Sequence, residues 1–335
     1  MVLIAGLPAI AGLTFRRPVL PADLDELADL MNTCAAADGL DDRDDAAHLA
    51  TWFANPSNFD PTRDTLLGEI GGRLLAYGNV RWQDDNDGGR NYSAWCAIHP
   101  DLRRRGIGRA LLHHQLARIA EIAAGHELAD GTERRVESWV YASQPDRIAL
   151  LESEGFSIAR YFFEMVRHDL EAIPDLPLPA GIEIRPMRPE HYRQVWDADV
   201  EAFRDHWGSL DLSDAAFQRH FGGPHFEPDL WRVAWDHDQV AGVVANEVLT
   251  AFNEQTGARR GLLAGVSVRR PWRRRGLARA LVAESLRALR ARGMTSATLG
   301  VDATNPHGAL GVYEAAGFAV EREGRAYRRP LTEMV

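Results

Sequence analysis

Apolar and polar residues alternate along the second half of the chain in a pattern that predicts a sheet followed by a helix. Three segments rich in valine, leucine and aromatic residues, with polar turns between them, are predicted strands: WRVAWDH (231–237), QVAGVVANEVLTAF (239–252) and RGLLAGVSV (260–268). Residues 253–257 are expected to form one of these turns. After Gly276 the spacing becomes that of a helix with one apolar face, formed by Leu277, Leu281, Val282, Leu286 and Leu289.

The same pattern occurs earlier in the chain, so the sequence predicts a duplicated domain. The segment IHPDLRRRGIGRALL (98–112) matches VRRPWRRRGLARALV (268–282) at an offset of 170 residues. Two further landmarks recur in the same order: GLTFRR and GIEIRP, which begin at Gly12 and Gly181, and SEGF and AAGF, which end at Phe156 and Phe318. Because their offsets are nearly constant, we infer two copies of roughly 160 residues each.

Each copy has the predicted order strand, one or two helices, strands, arginine segment, helix, strand, helix and a last strand, which is a mixed α/β layer structure. In the first copy, the apolar face of the helix after the arginine segment consists of Ile107, Leu111, Leu112, Leu116 and Ile119. The segment EAIPDLPLPAG (171–181) contains three prolines and predicts a semi-rigid linker. The predicted domains are therefore 1–170 and 182–335.

The composition narrows the class of protein. A length of 335 residues with 45% hydrophobic and 26% charged residues is typical of a folded protein with two domains. Two cysteines, Cys34 and Cys96, predict no disulfide framework and fit a reducing cytoplasm. The apolar start MVLIAGLPAIAGL is short and lacks a basic leader, so we expect neither a signal peptide nor a membrane span. A formal net charge of −10 argues against general nucleic-acid binding.

Although the chain as a whole is acidic, its two arginine segments place positive charge at two strand-to-helix turns. Arg103 begins an Arg-x-x-Gly-x-Gly motif, and Arg273 begins an Arg-x-x-Gly-x-Ala motif. The start of a helix leaves backbone N–H groups unpaired, and successive turn amides form a concave anion site. Gly276 allows close backbone approach, while arginine supplies permanent charge and forked donors for phosphate oxygens. The pattern predicts a site for one anionic ligand, and it is neither a nucleotide P-loop nor a dinucleotide fingerprint.

These motifs resemble the coenzyme A motif of the GNAT acetyltransferases. The segment TLGVDATNPHGALGVYEAAGFAV (298–320) is similar to the next strand and helix of that family, with Asn305 and a Tyr-x-x-x-Gly-Phe motif beginning at Tyr313. The resemblance implies two tandem domains, each a mostly antiparallel twisted sheet with helices on both faces and a splayed central strand pair. It also implies acetyl-CoA as cofactor and transfer of its acetyl group to a primary amine of a small molecule. We expect a cytoplasmic monomer or homodimer with no nucleic-acid and no membrane partner.

The resemblance assigns roles to residues of the second copy. Residues Val266, Ser267 and Val268 would pair with the pantetheine arm in the manner of an added strand. The pyrophosphate would lie in a cradle formed by Arg273, Arg274, Arg275, Gly276, Leu277, Ala278 and Arg279. Asn305 would bond the cofactor near its thioester. Tyr313 would be the general acid, because a phenol of pKa about 10 can protonate a leaving thiolate whose thiol has a pKa of about 8.5.

The resemblance does not identify the residue that acts as the general base. A primary amine with a pKa near 10 is only about one part in a thousand neutral at pH 7, so its deprotonation must be assisted. Where related enzymes carry a glutamate on the strand, this chain has Leu262. We predict Glu247 as the base, with Glu201, His206 or an ordered water as alternatives. Asp205 could orient the substrate or cap a helix.

The first copy keeps the cradle but lacks the acid. A possible second cofactor site consists of Arg103, Arg104, Arg105, Gly106, Ile107, Gly108 and Arg109. The position of the acid holds Leu151, the position of the asparagine is roughly Gln144, and Tyr141 is an alternative acid. We therefore favour an inactive first copy and a catalytic second copy.

Two other classes of function stay open at this point. The alternative to an acetyltransferase is a non-catalytic acyl-CoA sensor or scaffold, and a third class is nucleic-acid binding by the arginine runs. No metal site is predicted, because neither His113-His114 nor His220 with His225 has a recognisable third ligand nearby in the sequence.

Overall fold

A computed structural model of the chain describes residues 1–129, 131–305 and 308–331. The chain forms two compact units. Of the described residues, unit 1 contains those in 1–159, 213–219 and 325–331, and unit 2 contains those in 160–212 and 220–324. The units do not coincide with the two halves of the sequence, because each takes a segment from the other half. The boundaries 170 and 182 along the chain stay a prediction.

Unit 1 begins with a short strand and two helices and then forms a meander of strands. Its elements in chain order are β1 (Thr14–Arg16), α1 (Leu24–Ala37), α2 (Ala46–Ala54), β2 (Thr65–Ile70), β3 (Arg73–Asp84), β4 (Arg90–Ile98), α3 (Ile107–Ala124), β5 (Arg134–Tyr141) and α4 (Pro145–Ser153). Strands β1 to β5 are neighbours in that order, and the last part of strand β12 (Ala319–Pro330) lies next to β5. Of the pairs that β1 to β5 form with one another, only β4–β5 is parallel.

Unit 2 repeats this plan with one additional short helix. Its elements are β6 (Ser157–Arg167), β7 (Ile182–Arg185), α5 (Tyr192–Phe203), α6 (Asp214–Gly222), β8 (Arg232–Asp236), β9 (Gln239–Val248), α7 (Thr250–Thr256), β10 (Arg260–Val268), α8 (Leu277–Ala291), β11 (Ser296–Asp302), α9 (Ala309–Ala315) and β12 (Ala319–Pro330). Of these, most of α6 (214–219) and the last part of β12 (325–330) belong to unit 1. The strand order is β12, β6, β11, β10, β9, β8 and β7, with β10 and β11 parallel. The predicted α/β fold with two tandem, mostly antiparallel sheets is confirmed.

Helices cover both faces of the sheet in unit 2. A Cβ added at Gly265 would lie 3.8 Å from the ring of Phe203 on α5, whereas one added at Gly242 would lie 3.0 Å from Leu281 on α8. The register places Val243, Ala245 and Glu247 of β9 on the face covered by α5, because side chains alternate along a strand. The opposite face, under α8, forms the main apolar core of the unit.

The predicted apolar faces of the two long helices are confirmed. In α8, Leu277, Leu281, Val282, Leu286 and Leu289 are each at most 1% exposed. The matching residues of α3 are Ile107, Leu111, Leu112, Leu116 and Ile119, and all of them are buried. None of the helices in the described ranges is long and apolar enough to cross a lipid bilayer.

The prediction of one strand over 239–252 was wrong at its end. Strand β9 stops at Val248, and the chain then forms helix α7 (Thr250–Thr256). The strand ends there because its partner β10 begins at Arg260, whose carbonyl accepts from the N–H of Leu249. The Asn253 side chain then bonds the backbone N–H and C=O of Arg260, which holds the short helix against the start of β10.

Candidate functional site

The central parallel strands of each unit separate after four residue pairs. In unit 2, β10 and β11 pair from Arg260–Ser296 to Leu263–Leu299. In unit 1, β4 and β5 pair from Arg90–Arg134 onward, also over four pairs. Strand β10 continues to Val268 while paired with β9 on its other side. The edge of residues 264–268 that faces away from β9 therefore has no strand partner in the described chain.

The arginine turn lies directly beyond this open edge. Arg274 and Gly276 have φ of 60° and 84°, and Arg104 and Gly106 of unit 1 have 62° and 86°. Left-handed residues alternating with right-handed ones turn successive N–H groups toward one concave side, which is the geometry of an anion-binding nest. Arg275 lies between the two left-handed residues of unit 2, and Arg274, Arg275 and Gly276 are all exposed. The turn therefore presents its backbone to a ligand.

The first arginine of each motif is engaged by the protein itself. Arg273 donates through Nε to the carbonyl of Val268 at 2.9 Å and through Nη2 to the carbonyl of Ala202 at 3.1 Å. Its Nη1 pairs with Asp205 at 2.7 Å. Arg103 makes the same set of contacts with Ile98, Cys34 and Asp38 in unit 1. We call these two arginines the clamp residues, because each ties the end of a strand to the end of a helix.

The remaining cradle arginines differ between the units. In unit 2, Arg274, Arg275 and Arg279 make no ion pair with any described residue, so their charges are available to a ligand. In unit 1, Arg104 pairs with Asp146 at 2.9 Å and Arg109 with Glu154 at 3.2 Å. An anion at the first cradle would therefore compete with carboxylates of the protein, and one at the second would not.

Tyr313 and Asn305 lie on the segment that follows β11. Asn305 is partly buried in the loop after β11, and its N–H donates to the carbonyl of Asp302 at 3.1 Å. Tyr313 lies on α9, 7% exposed, with its ring 6.3 Å from that of Phe318. Burial raises the pKa of Tyr313 to about 12, so the phenol keeps its proton at neutral pH. Its hydroxyl bonds no residue in the described parts of the chain.

The candidate bases occupy different environments. Glu247 lies opposite Leu262, on the α5 face of the sheet and next to the point where β10 and β11 separate. Glu201 pairs with Arg269 at 2.7 Å. Asp205 pairs with both Arg270 and the clamp residue Arg273, which hold the pKa of its carboxyl well below the usual range. His206 packs against Phe203 with ring centroids 4.6 Å apart.

Unit 1 contains a cavity of about 1140 Å³ in the opening between β4 and β5. Its wall includes the arginine turn, the end of β4 and the start of α4. The cavity shares Met31, Asp44, Trp95 and Trp139 with a second cavity of about 440 Å³. The first copy thus has room for a large ligand beside its cradle. Pro8 also lines the cavity and lies 3.6 Å from where a Cβ on Gly106 would be.

The residues that replace the acid and the asparagine in unit 1 make other contacts within the protein. Leu151 is 2% exposed within the core, and Gln144 bonds Asp38 at 2.6 Å. Tyr141 lines the cavity, where its hydroxyl donates to Asp42 at 3.2 Å. Arg147 enters the strand opening and donates to the carbonyl of Cys96 at 3.3 Å. That carbonyl corresponds to Val266 in unit 2, so a group of the protein already occupies part of the equivalent strand edge.

Sequence reasoning missed one candidate, Asp199. It lies on α5 in line with the buried residues Val195, Ala198 and Ala202. Its Oδ1 accepts from Oγ of Ser267 at 2.6 Å, which places a carboxylate against the strand predicted to bind the cofactor. A carboxylate within the apolar stripe of a helix is the signal that could have identified it.

Comparison with known proteins agrees with this geometry. The sequence profile described as the Acetyltransferase (GNAT) family matches residues 24–156 and 192–318. A mycothiol acetyltransferase of Geodermatophilus obscurus is 28% identical over 315 residues, covering 92% of this chain and 95% of the relative. The mycothiol acetyltransferase of Salinispora tropica is 30% identical over 300 residues, covering 88% and 90%.

Solved structures match along nearly the whole chain. A GCN5-related N-acetyltransferase from Sphaerobacter thermophilus has a TM-score of 0.71 and 25% identity, covering 97% of this chain and 98% of its own. A tandem GNAT protein from the clavulanic acid biosynthesis pathway has a TM-score of 0.66 and 18% identity, covering 96% and 100%. The second likeness supports the duplicated fold.

Proposed function

Because the chain belongs to the acetyltransferase (GNAT) family and is an acyltransferase, we propose that it transfers an acetyl group from acetyl-CoA to a primary amine of a small molecule. The chemistry takes place in unit 2. The observation that carries this proposal is the open edge of β10, which leads directly into a cradle whose arginines Arg274, Arg275 and Arg279 pair with no described carboxylate.

The residues of unit 2 fit the parts of coenzyme A. The exposed amides of the turn and the three arginines supply positive charge and donors for a diphosphate. The free edge of Val266 and Ser267 supplies main-chain groups for the amides of a pantetheine arm. The clamp residue Arg273 contributes to diphosphate binding indirectly. It holds the end of β10 and the cradle together and does not itself contact phosphate.

When bound, acetyl-CoA supplies a thioester that is activated toward attack by an amine. The nitrogen attacks the carbonyl carbon, the C–S bond breaks, and the thiolate receives the proton of the Tyr313 hydroxyl. The buried phenol is protonated at neutral pH, so its O–H can also stabilise the leaving sulfur by a hydrogen bond. The amine proton passes to a carboxylate or water on the α5 face of the sheet, where Glu247 lies.

Unit 1 has a different role in this proposal. Its cavity of about 1140 Å³ beside the first cradle is large enough to hold an acyl-CoA. The acid position is a buried leucine, Leu151, and two of the cradle arginines are paired with carboxylates. We infer that unit 1 binds acyl-CoA more weakly than unit 2 and transfers no acyl group.

The variant Tyr313→Phe tests the acid. Acetyl-CoA turnover is measured with a panel of small primary amines, and kcat is expected to fall at least tenfold, on the scale of a lost general acid. Affinity for acetyl-CoA, measured by calorimetry, is expected to stay within about twofold, because the ring still fills its place in the core. Unchanged turnover would remove Tyr313 from the reaction.

The matched control is Tyr327→Phe. Tyr327 is fully buried in unit 1, where its hydroxyl donates to Glu152 at 2.9 Å. Removing the Tyr327 hydroxyl is expected to lower the melting temperature slightly, because one hydrogen bond is lost, and to leave turnover unchanged. Absence of turnover by the native protein with every amine, together with tight acetyl-CoA binding, would favour a sensor instead.

A further inference from the structure

Asp199 is a carboxylate whose position has a counterpart that can be identified in the other unit. The clamp residues fix the correspondence: Arg273 donates to the carbonyl of Ala202, and Arg103 donates to that of Cys34. Three residues before each acceptor, at the same place on the two helices, lie Asp199 and Met31.

Met31 lines both cavities of unit 1, so this position lies where the large cavity beside the cradle meets the smaller one. Trp95 and Trp139 line the same junction. The 170-residue offset of the arginine segments makes Gly265 the counterpart of Trp95 in unit 2, and each of them lies on the face covered by the first helix of its copy. Two bulky apolar side chains of unit 1, Met31 and Trp95, thus have a carboxylate and a glycine as their counterparts in unit 2.

This exchange changes both the space and the charge at the junction. With glycine in place of Trp95, the strand carries no side chain at this position, and the nearest ring is that of Phe203, 3.8 Å from where a Cβ on Gly265 would be. Asp199 makes no ion pair with a described residue, so its charge is not neutralised by the protein. Ser267 satisfies Oδ1, and Oδ2 stays available to a ligand.

The surroundings of Asp199 adapt it to proton transfer near neutral pH. Burial raises the pKa of Asp199 to about 6, and the hydrogen bond from Ser267 opposes this rise. Other titratable groups on the same face are Glu247 of β9, Asp302 of β11, which pairs with Arg160, and, beyond β10, Arg269, which pairs with Glu201. A carboxylate that titrates near the working pH is an effective general base.

We propose that Asp199 faces the acceptor amine in unit 2, accepts a hydrogen bond from the neutral amine at Oδ2, and takes the proton that the nitrogen loses as the C–N bond forms. This inference rests on the proposed function and assigns the base within it. The proton moves from nitrogen to Oδ2 as the C–N bond forms and the C–S bond breaks, while Tyr313 gives its proton to sulfur. Ser267 is a positioning residue, because it fixes the other carboxylate oxygen.

The decisive variant is Asp199→Asn, which keeps the shape and removes the charge. We expect kcat/KM for the amine to fall at least a hundredfold and the acidic limb of its pH profile, with an apparent pKa near 6, to disappear. The affinity for acetyl-CoA is expected to stay within about threefold. The variant Asp199→Glu is expected to recover part of the rate, and Ser267→Ala to shift the limb to higher pH.

The control is Asp197→Asn, which changes an exposed carboxylate two residues away on the same helix and is expected to alter neither rate nor profile. An independent readout is the carboxyl carbon resonance lost in Asp199→Asn, which should titrate near pH 6 in the protein without acetyl-CoA. Native-like kcat/KM in Asp199→Asn, with Tyr313→Phe impaired, would overturn this inference and leave the proposed function intact. A native protein that acetylates no amine would overturn both.

Discussion

At the scale of single residues, Gly276 is the position where the cradle depends most on backbone conformation. Its φ of 84° lies in the region that favours glycine, and no heavy atom lies within 4 Å of where a Cβ would be. A side chain would therefore cause no clash, and its only cost would be conformational. The same holds for Gly293, with φ of 95°, at the far end of α8.

Substituting each of these two glycines distinguishes an effect on acetyl-CoA binding from an effect on the stability of the fold. Both Gly276→Ala and Gly293→Ala are expected to lower the free energy of unfolding by roughly 1–2 kcal/mol, the cost of a left-handed residue with a Cβ. Only Gly276→Ala is expected to weaken acetyl-CoA binding, by at least tenfold, because relief of that strain turns the cradle amides away. Calorimetry and thermal unfolding of both variants check this, and equal affinities would contradict the assignment of the cradle.

The sequence predicted the residues of the cradle but not their individual tasks. The glycine and arginine spacing was sufficient to place a concave turn, since it depends on local backbone preferences. It could not show that Arg273 is engaged on three sides, because Ala202 and Asp205 reach it only through the tertiary fold. Asp199 was missed for the same reason, since its partner Ser267 is 68 residues away.

At the scale of elements, the clamp residue joins α5, the end of β10 and the cradle. Arg273→Lys keeps the charge but cannot donate to Val268, Ala202 and Asp205 together. We expect the free energy of unfolding to fall by about 1–3 kcal/mol, through carbonyls left without donors, and acetyl-CoA affinity to fall as the turn shifts.

Arg279→Lys provides the comparison, because Arg279 is exposed on the first turn of α8. It is expected to weaken acetyl-CoA binding without lowering the melting temperature. Thermal unfolding and calorimetry of the two variants distinguish a clamp from a phosphate contact. An unchanged melting temperature for Arg273→Lys would show that the guanidinium contacts carry little stability.

The approximate positions of the central strands were predictable and the helix α7 was not. The 170-residue offset between the arginine segments is the offset between the first paired residues of β4 and β10, Arg90 and Arg260. Helix α7 was missed because Leu249–Phe252 continues the apolar pattern of β9. Whether such a segment stays extended depends on where its partner strand begins, which the local pattern does not contain.

At the scale of the whole molecule, each unit depends on a segment from the other half of the sequence. In unit 2, β6 pairs with β11 over residues 162–167, and Met165 is fully buried in the core. A fragment of residues 182–335 lacks this strand and exposes the edge of β11. The pattern of the sequence alone placed β6 with the first copy, since strand exchange leaves no local signature.

The fragments 182–335 and 157–335 test this dependence. The shorter fragment is expected to be mostly insoluble, with at least tenfold lower soluble yield, because an exposed central strand edge aggregates. The longer fragment is expected to unfold cooperatively in a thermal scan. A cooperative transition of the shorter fragment at the same temperature would contradict this and would support the boundary at 182.

The equal length of strand pairing in the two units has one more consequence. Each opening begins four pairs from the start of its strands and ends at a turn of the same conformation. A molecule anchored at either turn therefore has the same distance to travel before it reaches the fork. The duplicated scaffold thus sets the same separation between anchor and fork in both copies. The copies could therefore specialise by exchanging the side chains at the fork while this separation stayed fixed.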